Sequence, residues 1–237
     1  MSTYVLVHGA WHGAWCWYKV KWLLEKQGHT VLTPDLPSHG IDRTPISSVS
    51  LQSYAERVST TLDACGEPVI LVGHSMGGIA ITQAAEARPA KVATLVYLTA
   101  FLLPAGRSLL EEAQTDAWTE VLPNLVFASD HSWAEVKSEA IRSAFYADCS
   151  DADVALAKSL LVPQATAPLA AAVQTTDEHW GSVPRVYVEC SVDKAITIQA
   201  QRAMYARLPC SRVITMATSH SPFFSAPDVL AEHLLSL

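Results

Sequence analysis

An α/β fold, with a mainly parallel central sheet flanked by helices, is predicted by three features of this chain. Short apolar runs rich in β-branched residues alternate with stretches of helical periodicity, the pattern of βαβ units. The runs are apolar throughout rather than every second residue, as expected of strands covered on both faces. The third feature is Gly73-His74-Ser75-Met76-Gly77, set between an apolar run and an Ala-rich helical run. That order predicts a strand, a sharp turn with serine at its apex, and a helix.

Taken in order, Tyr4–Val7 reads as the first strand, and Trp17–Lys26 as an amphipathic helix stopped by Gly28. Val31–Thr33 is a strand ended by Pro34, and Leu51–Cys65 a helix with Ser50 placed to cap it. Val69–Val72 and Gly77–Ala87 form the strand and helix around Ser75, the helix ending before Pro89. Leu95–Leu98 is the next strand. Later come a strand over Val186–Cys190, a helix over Thr197–Leu208, a strand over Arg212–Met216 and a last helix from about Asp228 to Leu235. From about Pro104 to Val183 the alternation breaks. This stretch has helical but not strand periodicity, clearest over 151–161, and is too long for one crossover. It is expected to be a helical cap (104–183) inserted into a core made of 1–103 and 184–237, the whole a single folding unit.

Composition narrows the function. The 237 residues are half hydrophobic and 16% charged, with a net charge of −7. That supplies a sizeable core for one domain and no basic cluster for nucleic acid or an anionic membrane surface. No apolar run is long enough to span a bilayer, and the N-terminus has no secretory pattern, so the chain is expected to be cytoplasmic. Its five cysteines are widely spaced, odd in number and without a CxxC, as suits small apolar fillers in a reducing compartment.

The chemistry rests on Ser75. A hydroxyl at a strand-to-helix turn of the Gly-x-Ser-x-Gly kind is a nucleophile elbow, and flanking glycines relieve the crowding of so tight a turn. A serine hydroxyl needs an adjacent base. His220 is the candidate, because it alone of the late histidines lies on the short loop between the last strand and the last helix; His131 and His179 fall in the cap and His233 in the helix. Asp193, three residues past a strand, is the candidate acid to orient that imidazole. Glu189 lies within the strand, and the aspartates of 104–183 are better read as helix caps and solvated faces. Two backbone N–H groups are expected to meet the developing oxyanion: Met76, after the nucleophile, and Ala10, in the loop His8-Gly9-Ala10-Trp11-His12-Gly13. Candidate liners of the pocket are Trp11, Phe101, Leu109, Trp118, Trp133 and Phe223. His8, His12, His29 and His39 do not have metal-site spacing, since Gly9 and Gly13 make a loop of the first pair and no further ligand accompanies them. No metal and no cofactor are expected, and no nucleotide-binding glycine motif is present.

With these residues in view, the chain resembles the plant methylesterase and hydroxynitrile lyase branch of the α/β-hydrolases, the group that includes the salicylic-acid-binding methylesterases. The resemblance is carried nearly end to end, by Val5-Leu-Val-His-Gly-Ala-Trp-His-Gly-Ala-Trp15, Val69 to Gly78, Thr99-Ala-Phe-Leu-Leu-Pro104, Asp151 to Pro163, Val186 to Lys194 and Ser219-His220. It implies an α/β-hydrolase fold, the triad Ser75, Asp193 and His220, oxyanion donors at Ala10 and Met76, and a helical cap over an apolar pocket. The lyases of the branch carry threonine where this chain has Gly9, glutamate where it has His74, and lysine where it has Ser221. The expectation is therefore a serine carboxylic ester hydrolase (a carboxylesterase) acting through an acyl-enzyme on small to medium esters, aromatic ones included. Lyase-type C–C cleavage and non-catalytic binding of a small ligand are the alternatives. The expected partner is a small-molecule ester, with no nucleic acid and no membrane; a homodimer is left open.

Overall fold

The computed structural model describes residues 1–237. Six strands form one sheet: β1 (Thr3–Val7), β2 (Thr30–Leu32), β3 (Val69–His74), β4 (Val92–Leu98), and, after a long intervening segment, β8 (Arg185–Cys190) and β9 (Arg212–Met216). Their order is β2-β1-β3-β4-β8-β9, and every pairing is parallel. All six strands expected from the apolar runs are present. β3 is buried at each of its six residues, which explains why it shows no alternation.

The helices fall where their caps put them. The first, α1 (Tyr18–Lys26), is preceded by a turn of 3-10 helix over Ala14–Trp17. α2 (Leu51–Asp63) begins at Ser50, whose hydroxyl accepts the Ser53 N–H while the Ser53 side chain answers in return. α3 (Gly77–Ala87) follows the elbow. The chain runs from β1 to β2 on one side and then crosses to β3 on the other. Right-handed crossovers therefore send α1 to one face of the sheet and α2 and α3 to the opposite one. That reversal makes the gap between the C-terminal ends of β1 and β3 a topological switch point, where open α/β sheets hold their ligands.

The segment between β4 and β8 holds short helices, α4 (Leu109–Ala113), α5 (Ser138–Phe145), α6 (Asp151–Leu160) and α7 (Thr166–Ala170). It also holds strands β5 (Leu125–Phe127), β6 (Trp133–Val136) and β7 (Gln164–Ala165), which form an antiparallel sheet of order β5-β6-β7. This corrects the expectation of a purely helical insert. Strands of three, four and two residues are too short for alternation to register. After β8 the chain forms α8 (Ile198–Arg207), capped by the Thr197 side chain, then β9, the single turn α9 (Pro222–Ser225) and α10 (Pro227–Leu235), which packs on α1. No helix is long and apolar enough to cross a membrane. All five cysteines are free.

The elbow is a packing constraint as well as a turn. A Cβ at Gly77 would lie 2.7 Å from the His8 carbonyl oxygen and 2.8 Å from that of Val7, closer than real contacts allow. Gly77→Ala is therefore expected to destabilise the protein by about 1–3 kcal/mol, the usual cost of overpacking. A lowered urea midpoint would register this, and an unchanged one would contradict it.

Candidate active site

The C-terminal ends of parallel strands supply every piece of the site. Ser75 follows β3 with φ of 53°, a left-handed conformation that costs a non-glycine residue free energy and persists only where the surroundings enforce it. Its own backbone supplies the enforcement: Ser75 N–H donates to Leu98 O on β4, and Ser75 O accepts from Gly78 and Phe101 N–H.

Ala10 follows β1 in the neighbouring loop, and Met76 opens the turn into α3. Neither their backbone N–H groups nor the Ser75 hydroxyl has a hydrogen-bond partner within the protein. All three residues line one cavity, with walls of Trp11, Phe101, Leu109, Leu122, Phe145 and Ile196 among others. Two free donors beside a hydroxyl at the N-terminal end of a helix form an arrangement suited to holding a developing negative charge.

Asp193 and His220 come from the loops after β8 and β9. His220 Nδ1–H donates to Asp193 Oδ2 at 2.6 Å, and both side chains are enclosed. Ala195 and Ile196 N–H groups donate to Asp193 Oδ1 at 2.7 and 3.1 Å. The Thr99 hydroxyl donates to Oδ2 at 2.5 Å. Four donors thus fill both carboxylate oxygens, which keeps its acceptance from His220 in one direction. No hydrogen bond joins Ser75 Oγ to His220 Nε2, as is common before substrate arrives. The His220 ring lies 4.5 Å, centroid to centroid, from that of His74, the residue before the serine.

Thr99 is a residue that sequence reasoning passed over. It ends β4 with φ of 36°, a strained conformation for a β-branched residue, and its N–H donates to Val188 O. Nothing in a run such as Leu98-Thr99-Ala100 signals this. The liners divide. Trp11, Phe101 and Leu109 face the cavity. Trp118 does not, being 77% exposed; Trp133 sits half-buried in β6; and Phe223 is buried behind the site, edge-on to His74 and against Trp17. Spacing alone gives no sign of which face of a short element an aromatic residue occupies. Glu189 is held by Arg202, Tyr205 and Thr215 on the far side of its strand.

Two of the three sequence departures have a geometric counterpart. A Cβ at position 9 would stand 2.9 Å from both Ser75 Cβ and His74 Nδ1, so only glycine lets the loop approach the elbow this closely. His74 donates its Nε2–H to the His220 backbone carbonyl at 2.8 Å, which links the elbow to the loop that carries His220.

A family model described as the alpha/beta hydrolase family matches residues 4–233. The chain belongs to the alpha/beta hydrolase family. Within it, the chain is 36% identical to Methylesterase 1 of Arabidopsis thaliana over 252 residues, covering 99% of this chain and 95% of that protein. It is 33% identical to Methylesterase 7 of the same plant over 249 residues, covering 100% and 96%. The crystal structure of polyneuridine aldehyde esterase superimposes with a TM-score of 0.92 at 28% identity, covering 100% of this chain and 98% of that one. This alpha/beta hydrolase is an enzyme of the carboxylesterase type.

The imidazoles around the site predict an acid sensitivity. Burial pushes His8 and His74 well below the ordinary value of 6.5 and His12 down to about 3. Unfolded, each would bind a proton near pH 6.5; folded, each stays neutral. Stability is then full above about pH 6.5 and falls as the pH drops toward the folded values, by up to about 1.4 kcal/mol per pH unit for each histidine. Urea unfolding at pH 7.5 and 5.5 should show that loss, and His12→Gln should make the pH dependence shallower. Equal slopes in the variant and the parent would refute the assignment.

Proposed function

We propose that Ser75, Asp193 and His220 form the catalytic triad of this carboxylic ester hydrolase, with the Ala10 and Met76 N–H groups as its oxyanion hole. The observation that carries the reading is a strained serine and two unpartnered backbone donors on one cavity, with a His–Asp pair whose imidazole lies 4.5 Å from that of His74, next to the serine. Ser75 Oγ attacks the acyl carbon and passes its proton to His220 Nε2, while Asp193 holds the opposite nitrogen and stabilises the imidazolium. The carbonyl oxygen takes the negative charge and receives the two N–H groups. His220 returns the proton to the departing alkoxide, leaving an acyl-enzyme. It then deprotonates a water that attacks the same carbon, and the carboxylic acid leaves as Ser75 regains its proton.

Residues 104–183 act as the lid, over a core of 1–103 and 184–237. They supply Leu109, Leu122, Leu125, Phe145 and Leu169 to a cavity lined almost wholly by apolar side chains. That lining favours small to medium esters whose acyl or alcohol part is apolar, aromatic groups included. The names of the relatives, methylesterase and esterase, support methyl esters as the first class to assay. The missing Cβ at Gly9 and a serine at 221 support hydrolysis over lyase chemistry.

Two substitutions test the roles. Ser75→Ala should remove turnover of p-nitrophenyl butyrate. Asp193→Asn should lower kcat by roughly 10⁴, the scale seen when a triad loses the carboxylate that sets its tautomer. Retained turnover in Ser75→Ala, or no turnover in the parent, would overturn the proposal.

A further inference from the structure

His8 and His12 have no part in the mechanism above, yet both rings are enclosed and both nitrogens of each are engaged. His8 Nδ1 lies 2.8 Å from the Gly9 carbonyl oxygen, and His8 Nε2 accepts the Leu36 N–H at 3.0 Å. His12 Nδ1 lies 2.7 Å from the Ala10 carbonyl oxygen, and His12 Nε2 lies 2.5 Å from the Tyr146 hydroxyl. A carbonyl oxygen can only accept, so each ring carries its proton on Nδ1. Burial keeps both imidazoles neutral and keeps Tyr146 protonated. The Tyr146 hydroxyl therefore donates to His12 Nε2, and the relay runs in one direction, from Tyr146 through His12 to Ala10 O.

These carbonyls are the ones that matter for the oxyanion. The Gly9 C=O and the Ala10 N–H belong to one planar peptide, so a bond to Gly9 O fixes the direction of the Ala10 N–H. The Ala10 C=O belongs to the next peptide, which enters Trp11 with φ of 63°. A bulky residue holds that conformation only under constraint. Besides His12, the constraint comes from residues 104–183: Trp11 Nε1–H donates to Ala134 O at 2.9 Å, and Val162 N–H donates to Trp11 O at 3.0 Å. Tyr146 belongs to the same segment, at the end of α5.

We infer that His12 and Tyr146, with His8, are positioning residues that set the direction of the Ala10 N–H. The two imidazoles clamp the peptides on either side of the Ala10 Cα, and residues 104–183 reach the oxyanion hole through the Tyr146 hydroxyl. This rests on the reading of Ala10 as an oxyanion donor. It gives the 104–183 segment a second role besides walling the cavity: it completes the geometry of the hole.

Tyr146→Phe removes the hydroxyl and keeps the ring. Losing a whole oxyanion donor costs about 10²–10³ in kcat, so a misdirected one should cost about tenfold, with KM within about twofold. Affinity for a trifluoromethyl ketone, which forms an oxyanion on the serine, should weaken by the same factor as kcat/KM. His12→Leu should repeat this loss. His12→Gln should recover most of it, because an amide can donate to Ala10 O and accept from Tyr146. Ser75→Ala, run beside them, separates the two levels. If it is inactive while Tyr146→Phe matches the parent in kcat and ketone affinity, the clamp is wrong and the serine mechanism stands. If Ser75→Ala retains turnover, both fall. A Tyr146→Phe loss that vanishes once rates are expressed per folded molecule, from urea titration of the same sample, also overturns the clamp.

Discussion

A serine held in a left-handed backbone conformation between a buried strand and a helix places a demand on everything around it. Ser75 can stand there only if the residues two positions either side have no side chains to clash and if its peptide groups are bonded, to Leu98, Gly78 and Phe101. Gly73 faces the Gly77 carbonyl, and Gly77 faces the carbonyls of Val7 and His8. The turn is therefore wedged between its own helix and the end of β1. Because β1 and β3 are adjacent and parallel, the same wedge that strains the serine brings the Ala10 loop beside it. The placement of Ser75 and of the Ala10 loop beside it follows from one packing arrangement, and loosening either loop would loosen the other.

Asp193 and His220 obey a second rule, that a buried polar group must be satisfied. Asp193 lies in the interior with four donors on its two oxygens, of which only one belongs to His220. Three others hold the carboxylate whatever His220 does. Residues 104–183 reinforce the loops involved. The Asp116 carboxylate accepts the Thr197 N–H and hydroxyl, both at 2.8 Å. The Glu120 N–H donates to Lys194 O. The Asp148 carboxylate accepts from the Ser219 N–H and hydroxyl, immediately before His220. Each of these contacts ties a loop that carries Asp193 or His220 to residues 104–183.

How much of this could be read from the sequence follows from what kind of signal each residue leaves. The six strands were legible because burial on both faces makes them apolar from end to end. The elbow was legible because its glycines are required within five residues of one another, and Ala10 because it shares a short loop with Gly9. Asp193 and His220 could be singled out from chain order relative to predicted strands. Thr99 could not, since its role depends on the end of β4 meeting the β8 loop 94 residues later. Nor could the Tyr146–His12 contact, which spans 134 residues. β5, β6 and β7 are too short to leave a period, and Trp118 and Trp133 look as apolar as Trp11 until the element carrying them is placed.

Gly9 and His74 form a packed unit beside Ser75. His74 occupies the space that a side chain at position 9 would need, its Nδ1 lying 2.9 Å from where that Cβ would stand. The opposite nitrogen donates to the His220 carbonyl, so swinging the ring away would break its bond to that loop. A side chain at position 9 therefore crowds this placement of His74. Introducing a threonine alone would push on Ser75 Cβ and on the imidazole at once, beside a residue whose backbone is already strained. The packing at Ser75 is thus set in part by which side chain fills the narrow space between the first loop and the elbow.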